Sequence, residues 1–187
     1  MLIVAAQSLL LVVDVQERLV PALHDGAALV QRTAWLVRVA QRLGVPVAAS
    51  EQYPQGLGPT VAPVRSLLPE AAIAAKVHFS LVRADAFASL PGIDLPQVVI
   101  AGAEAHVCVL QTACDVLARG REVFVVADAV ASRHDADRML AIDRLRARGA
   151  EIVSCEMVAF EWLERAATPA FREVLQDFLK AGPAGAG

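Results

Sequence analysis

The segment SLLLVVDV, residues 8–15, is apolar at nearly every position until Asp14 interrupts it. A strand with one wet face alternates apolar and polar residues. An unbroken run instead fits a strand covered on both faces, as in a parallel sheet. The signature returns in VPVAAS (45–50), AAIAAKV (71–77), QVVIAGA (97–103), EVFVVAD (122–128) and AEIVSC (150–155). Between these runs, apolar residues fall at helical spacing over 27–43, 106–119 and 134–148, each followed by a stopping glycine at 44, 120 or 149. Two shorter helices are expected over 156–166 and 170–180. Strands alternating with helices predict the α/β class, with a parallel sheet covered on both sides. One domain over residues 1–180 is expected, with a disordered tail over 181–187. The stretch EQYPQGLGPTVAP (51–63) reads as a long irregular loop, of the kind that carries function or moves.

Composition removes several classes of function. Net charge is −3 with no basic cluster, so nucleic acid is not an expected partner. The longest apolar run, from Met1 to Val13, is broken by Gln7 and Ser8 and is too short to span a bilayer, so no membrane is expected. No Lys or Arg precedes that run, so it does not read as a secretory signal, and a cytoplasmic protein is expected. The cysteines are Cys108, Cys114 and Cys155, an odd number without paired spacing, which argues against a disulfide framework. No C-x-x-C occurs, and the histidines do not join cysteines at zinc spacing. No G-x-S-x-G elbow is present, and the GLGP at 56–59 lacks the following helix-opening G-K-S/T of a phosphate loop.

In open α/β sheets, ligands bind beyond the carboxyl ends of the strands. That rule directs attention to Asp14, to Glu51–Tyr53, to Lys76, to Glu104–Cys108, to Asp128 and to Cys155. Asp14 is costly to bury unless paired, and serves either a neighbouring loop or a reaction. Lys76 is one of only two lysines among 17 basic residues. It is either a snorkelling surface residue or a compact ammonium placed where arginine's planar fork does not fit. Cys108 is either a small core residue or a nucleophile at a helix start, where exposed N–H groups would favour its thiolate. Cys114, about 240° further around the helix, and Cys155 read as packing residues. An acid, a cation and a thiol at three strand ends have the makings of a nucleophilic site.

With VVDVQE at Asp14, AKVHFS at Lys76, AGAEAHVCVLQTACDVLARG at Cys108, and VVADAVASR followed by RLRARGAEIVS, the chain resembles the isochorismatase-like cysteine hydrolase superfamily over about residues 8–178. SEQYPQGLG and GAEAHVCV are most similar to the isochorismatase-domain-containing subgroup. The resemblance implies a Rossmann-like three-layer α/β/α fold with a largely parallel six-stranded sheet. It implies a catalytic triad of Asp14, Lys76 and Cys108. It also implies a cis peptide at Ala103–Glu104 that turns the Glu104 and Cys108 N–H groups toward an oxyanion. The activity implied is hydrolysis of a C–N bond in a small amide through a thioester, without a cofactor. Alternatives are a non-catalytic oligomeric binding or scaffold member, and vinyl ether hydrolysis, which needs no cysteine nucleophile.

Two departures from the family pattern bear on the site. Nicotinamidases follow their second strand with an Asp and histidines that bind a metal. Here the stretch is ASEQYPQGLG, so no metal is expected. Thr-Asp or Ser-Asp in many members is replaced by Ala105-His106, and His106 either contacts substrate or opens the helix on a solvated face. Gln16 could rim the pocket, and Tyr53 and Phe79 could wall it. A homo-oligomer is implied by the family. Trp162, Leu163, Phe171 and Phe178 pack either on a partner subunit or on their own sheet.

Overall fold

A computed structural model describes residues 1–180 and 182–183; the expected disordered tail therefore lies outside the described residues at 181 and 184–187. Six strands form one sheet: β1 (Ser8–Val13), β2 (Val47–Gln52), β3 (Ile73–Lys76), β4 (Gln97–Ala103), β5 (Glu122–Ala131) and β6 (Glu151–Val153). Their order is β3-β2-β1-β4-β5-β6, and every pairing is parallel. The expected Rossmann-like α/β/α architecture is the one observed.

The two-faced burial has the predicted cause. All residues of β1 and β4 are buried. Along β1, Leu10 and Val12 join one core cluster, while Leu9, Leu11 and Val13 join the other. The first cluster is closed by α1 (Gly26–Arg42), α6 (Cys155–Leu163) and α7 (Pro169–Val174). The second is closed by α4 (Leu110–Leu117) and α5 (Asp135–Ala147). Trp162 and Leu163 are buried in the first cluster, and Phe171 and Phe178 pack against it, so these side chains cover their own sheet.

Several boundaries differ from the sequence expectations. The stretch at 51–63 is not irregular: β2 runs through Gln52, and short helices α2 (Pro54–Leu57) and α3 (Ala62–Arg65) follow. Each helix has a proline in its first two positions, where a fixed φ favours the turn and a missing N–H costs nothing. β5 does not end at Asp128 but continues to Ala131, with a register shift against β4 between Ile100 and Gly102. β6 stops before Cys155, because the Ser154 hydroxyl accepts the Met157 N–H and caps α6. The expected helix at 106–119 opens with a π-helical turn, Ala105–Val109, that holds Cys108.

The chain leaves β1 toward β2 on one side, while β4 lies on the other, so the switch point falls between the carboxyl ends of β1 and β4. Gly102 makes the close approach of these strands possible. Its φ is +123°, and a Cβ there would collide with the Val13 carbonyl oxygen and lie 2.6 Å from the Val13 nitrogen. Gly102→Ala is expected to cost about 3 kcal/mol or more, from backbone strain and overpacking together. Urea unfolding measures this, and a wild-type midpoint would contradict the assigned contact.

Candidate active site

Strand register brings the candidate residues together. Val13 pairs with both Ser50 and Gly102, and Gln52 pairs with Lys76. Asp14, the residue after β1, adopts a left-handed conformation at φ 50°, which Asp tolerates better than most residues. Ser50 and Gln52 lie two apart on β2 and so share a face. Glu51 between them serves the other face. Its Oε1 accepts the Thr60 N–H at 2.7 Å, the Thr60 hydroxyl at 2.8 Å and the Arg65 guanidinium at 3.2 Å, tying down the segment that follows.

Asp14 and Lys76 form an ion pair with Nζ 2.7 Å from Oδ2, and both side chains are 0% exposed. The other carboxylate oxygen accepts the Ser50 hydroxyl at 2.6 Å. The Lys76 ammonium also donates to Gln52 Oε1 at 2.6 Å. Cys108 Sγ lies 3.9 Å from that same oxygen and is influenced by Asp14 and Lys76. The acid, the cation and the thiol from three strand ends thus meet at the switch point. The Ala103–Glu104 peptide is cis.

The thiol corrects the expectation that a helix start would favour the thiolate. Burial, reinforced by the Asp14 carboxylate, pushes Cys108 up to about 12; Lys76 opposes this shift and loses. Cys108 is only 6% exposed, the fourth residue of a π-helical turn, and desolvation outweighs any help from the helix terminus. Burial and the neighbouring carboxylate thus favour the thiol over the thiolate. Cys155 is pushed up as well by burial, and it sits beside Asp128, whose Oδ1 accepts the Cys155 N–H at 2.9 Å. Asp128 thus braces the start of α6.

The remaining expected residues are placed differently. Gln16 is not at a rim: it is fully buried, and its amide is spent on backbone. It accepts the Gln52 N–H at 2.7 Å and donates to the Gln52 and Gly58 carbonyls at 3.0 and 2.6 Å, so it shapes the site from behind. Tyr53 and Phe79 are 55% and 51% exposed, outside the buried cluster. His106 directs Nδ1 to the Ser132 hydroxyl at 2.9 Å and lines a separate cleft of about 360 Å³ with Arg83, Cys114, Asp115, Arg144 and Arg148. The Glu104 side chain pairs with Arg133 at 2.8 Å. A cleft of about 340 Å³ lined by Pro54, Gln55, Lys76, Val77 and His78 adjoins the cluster, although the Lys76 side chain itself is covered. Among the described residues, no group of three or more His, Cys, Asp and Glu side chains is placed to hold a metal ion.

Sequence reasoning missed Ser50 and the bridging contact of Gln52. Their signal is a pair of polar residues two apart on a strand whose neighbours are apolar or face the opposite side. Only the register with Lys76 gives that pair a meaning.

Residues 8–157 match the isochorismatase domain family. The chain is 40% identical over 171 residues to isochorismatase domain-containing protein 1 of Salmo salar, a match covering 90% of this chain but 59% of that protein. It thus spans less than two thirds of that relative's length. The MAR1 ribonuclease of Caenorhabditis elegans superposes with a TM-score of 0.85 at 33% identity, covering 94% of this chain and 91% of that one. The YcaC gene product of Escherichia coli, described as an octameric hydrolase of unknown specificity, superposes at 0.80 over 94% of this chain and 95% of that one; at 23% identity the likeness shows the fold alone.

The buried pair yields a stability prediction. Lys76→Met leaves the Asp14 carboxylate without its counter-charge and is expected to cost about 3–5 kcal/mol. Adding Asp14→Asn removes the stranded charge and recovers much of that loss. Denaturant unfolding of both single variants and the double variant measures the coupling. Simply additive losses would contradict the pairing.

Proposed function

The chain belongs to the isochorismatase family, and from that premise we propose that it is a cysteine hydrolase cleaving a C–N bond of a small amide-type substrate through a thioester. The observation that carries this reading is the meeting of Asp14, Lys76 and Cys108 at the switch point of the sheet. Because the resting thiol is protonated, attack requires a base in contact with it. The Asp14 carboxylate takes the S–H proton as Sγ bonds to the substrate carbonyl carbon. Lys76 orients Asp14 through its 2.7 Å contact, and Ser50 fixes the second carboxylate oxygen.

The tetrahedral intermediate carries an oxyanion, which the backbone N–H groups of Glu104 and Cys108 receive. Collapse breaks the C–N bond, and the departing nitrogen takes the proton held by Asp14. Water then attacks the thioester, Asp14 accepts a proton from it, and the carboxylic acid leaves as the thiol is restored. These steps draw on no cofactor and no metal.

The cleft beside Lys76, lined by Pro54, Gln55, Val77 and His78, is the approach through which the site would meet substrate. The MAR1 neighbour is named as a ribonuclease. A net charge of −3 offers this chain little counterion release on a phosphate backbone, and a thiol beside a carboxylate suits acyl transfer. A homo-oligomer remains part of the proposal, in keeping with the octamer described for the YcaC gene product. Among the described residues, no helix is long and apolar enough to cross a membrane.

Screening small amides and ureido compounds by ammonia or amine release tests the reading. Cys108→Ala is expected to remove turnover while circular dichroism and the unfolding midpoint stay close to wild type. Activity retained in that variant would rule out the thioester route. In a wild type that turns over, quenching with acid is expected to trap an acyl adduct on Cys108, seen by mass spectrometry.

A further inference from the structure

Gln52 touches both the cation and the nucleophile of the candidate site. Its Oε1 is 2.6 Å from Lys76 Nζ and 3.9 Å from Cys108 Sγ. The orientation of its amide is fixed by chemistry: Nε2 donates to the Val77 carbonyl at 2.9 Å. Reversing it would set an NH₂ group against the ammonium and one carbonyl oxygen against another. The backbone of Gln52 is clamped in turn by the two amide contacts of buried Gln16. A side chain held at this many points is built to present one atom, and that atom is a carbonyl oxygen.

An ammonium has three protons to give. Asp14 Oδ2 takes one and Gln52 Oε1 another. Lys76 already acts on the sulfur, and if that second acceptor were absent a further proton would be free to turn to it and strengthen the hold on a thiolate. A standing thiolate reacts with stray electrophiles and oxidants. A carbonyl oxygen facing the sulfur does the opposite, since it accepts S–H and repels S⁻. We propose that Gln52 is a positioning residue that draws the Lys76 ammonium toward Asp14 and itself, and so limits its hold on the Cys108 sulfur until the proton passes to Asp14. The functional meaning of this role rests on the hydrolase reading above; the geometry does not.

The other charged groups near Cys108 either meet other partners or face a separate cleft. On its own turn and just before it, His106 meets Ser132, and Glu104 meets Arg133. On α5, which packs on that turn, Arg138 binds Asp135 and the Ala127 carbonyl, while Arg144 lines the cleft beside His106. Asp14 and Lys76 are the charges that act on the sulfur.

The test is the pH profile of Cys108 alkylation by iodoacetamide, followed peptide by peptide by mass spectrometry, in the full chain and in Gln52→Leu and Gln52→Glu. Leucine removes the acceptor and frees the ammonium, so the profile moves to lower pH. Alkylation at neutral pH then rises roughly tenfold for each unit of that shift. Glutamate keeps the ammonium engaged and adds a negative charge beside the sulfur, so the profile moves to higher pH. Opposite shifts from one position are the expected result; a purely structural glutamine would not produce them. Unshifted profiles, or two shifts in the same direction, would overturn the proposal. Should the leucine variant fail to fold, Gln52→Met, of similar length and without the strong acceptor, supplies that arm. Amide turnover is measured alongside. A wild type that hydrolyses no amide but shows the opposed shifts loses the proposed function and keeps the role of Gln52. A wild type that hydrolyses amides with unshifted profiles does the reverse.

Discussion

The candidate site depends on one ion pair closed off from water. Taking an ammonium and a carboxylate out of solvent costs several kcal/mol for each, and direct attraction repays this only with good geometry and further hydrogen bonds. Asp14 and Lys76 meet both conditions. They touch at 2.7 Å, and Ser50 and Gln52 occupy neighbouring positions on the carboxylate and the ammonium. Each of these groups stands at or near the end of a strand, so the register of β1, β2 and β3 sets the geometry. The pair is thus a condition on how the sheet assembles, because a slip of one residue turns every side chain to the opposite face.

The thiol beside the pair shows which of two opposed effects wins. A nearby cation and a helix start both favour a thiolate. Burial and a nearby carboxylate oppose it, and they prevail. A thiol that favours its protonated form fits the proposed chemistry, in which the proton moves only when a substrate is in place. It also separates the site from those of cysteine enzymes that keep a preformed ion pair.

Much of the fold was legible because burial on both faces leaves an unmistakable mark: the runs at 8–13, 97–103 and 123–126 have no wet side. Glycines at 44, 120 and 149 marked the helix ends because each needs a positive φ. The continuation of β5 past Asp128 was hidden because a charged residue inside a strand looks like an ending. Asp14, Lys76 and Cys108 could be picked out singly by their places at strand ends. Their companions could not, since Ser50 and Gln52 acquire meaning only from register. Gln16 was misplaced because sequence cannot say that the segment from Tyr53 to Thr60 folds back over it. Its amide then serves that backbone instead of facing open space.

The covered ammonium has one more consequence. The chain holds two lysines, and Lys180 is exposed on the last helical turn, while the Lys76 side chain has no accessible surface. An acylating reagent directed at side-chain amines finds a single target as long as the sheet is closed. Label appearing on Lys76 would therefore report the opening of the sheet at β3. The residue that makes the interior polar also makes it an internal gauge of its own integrity.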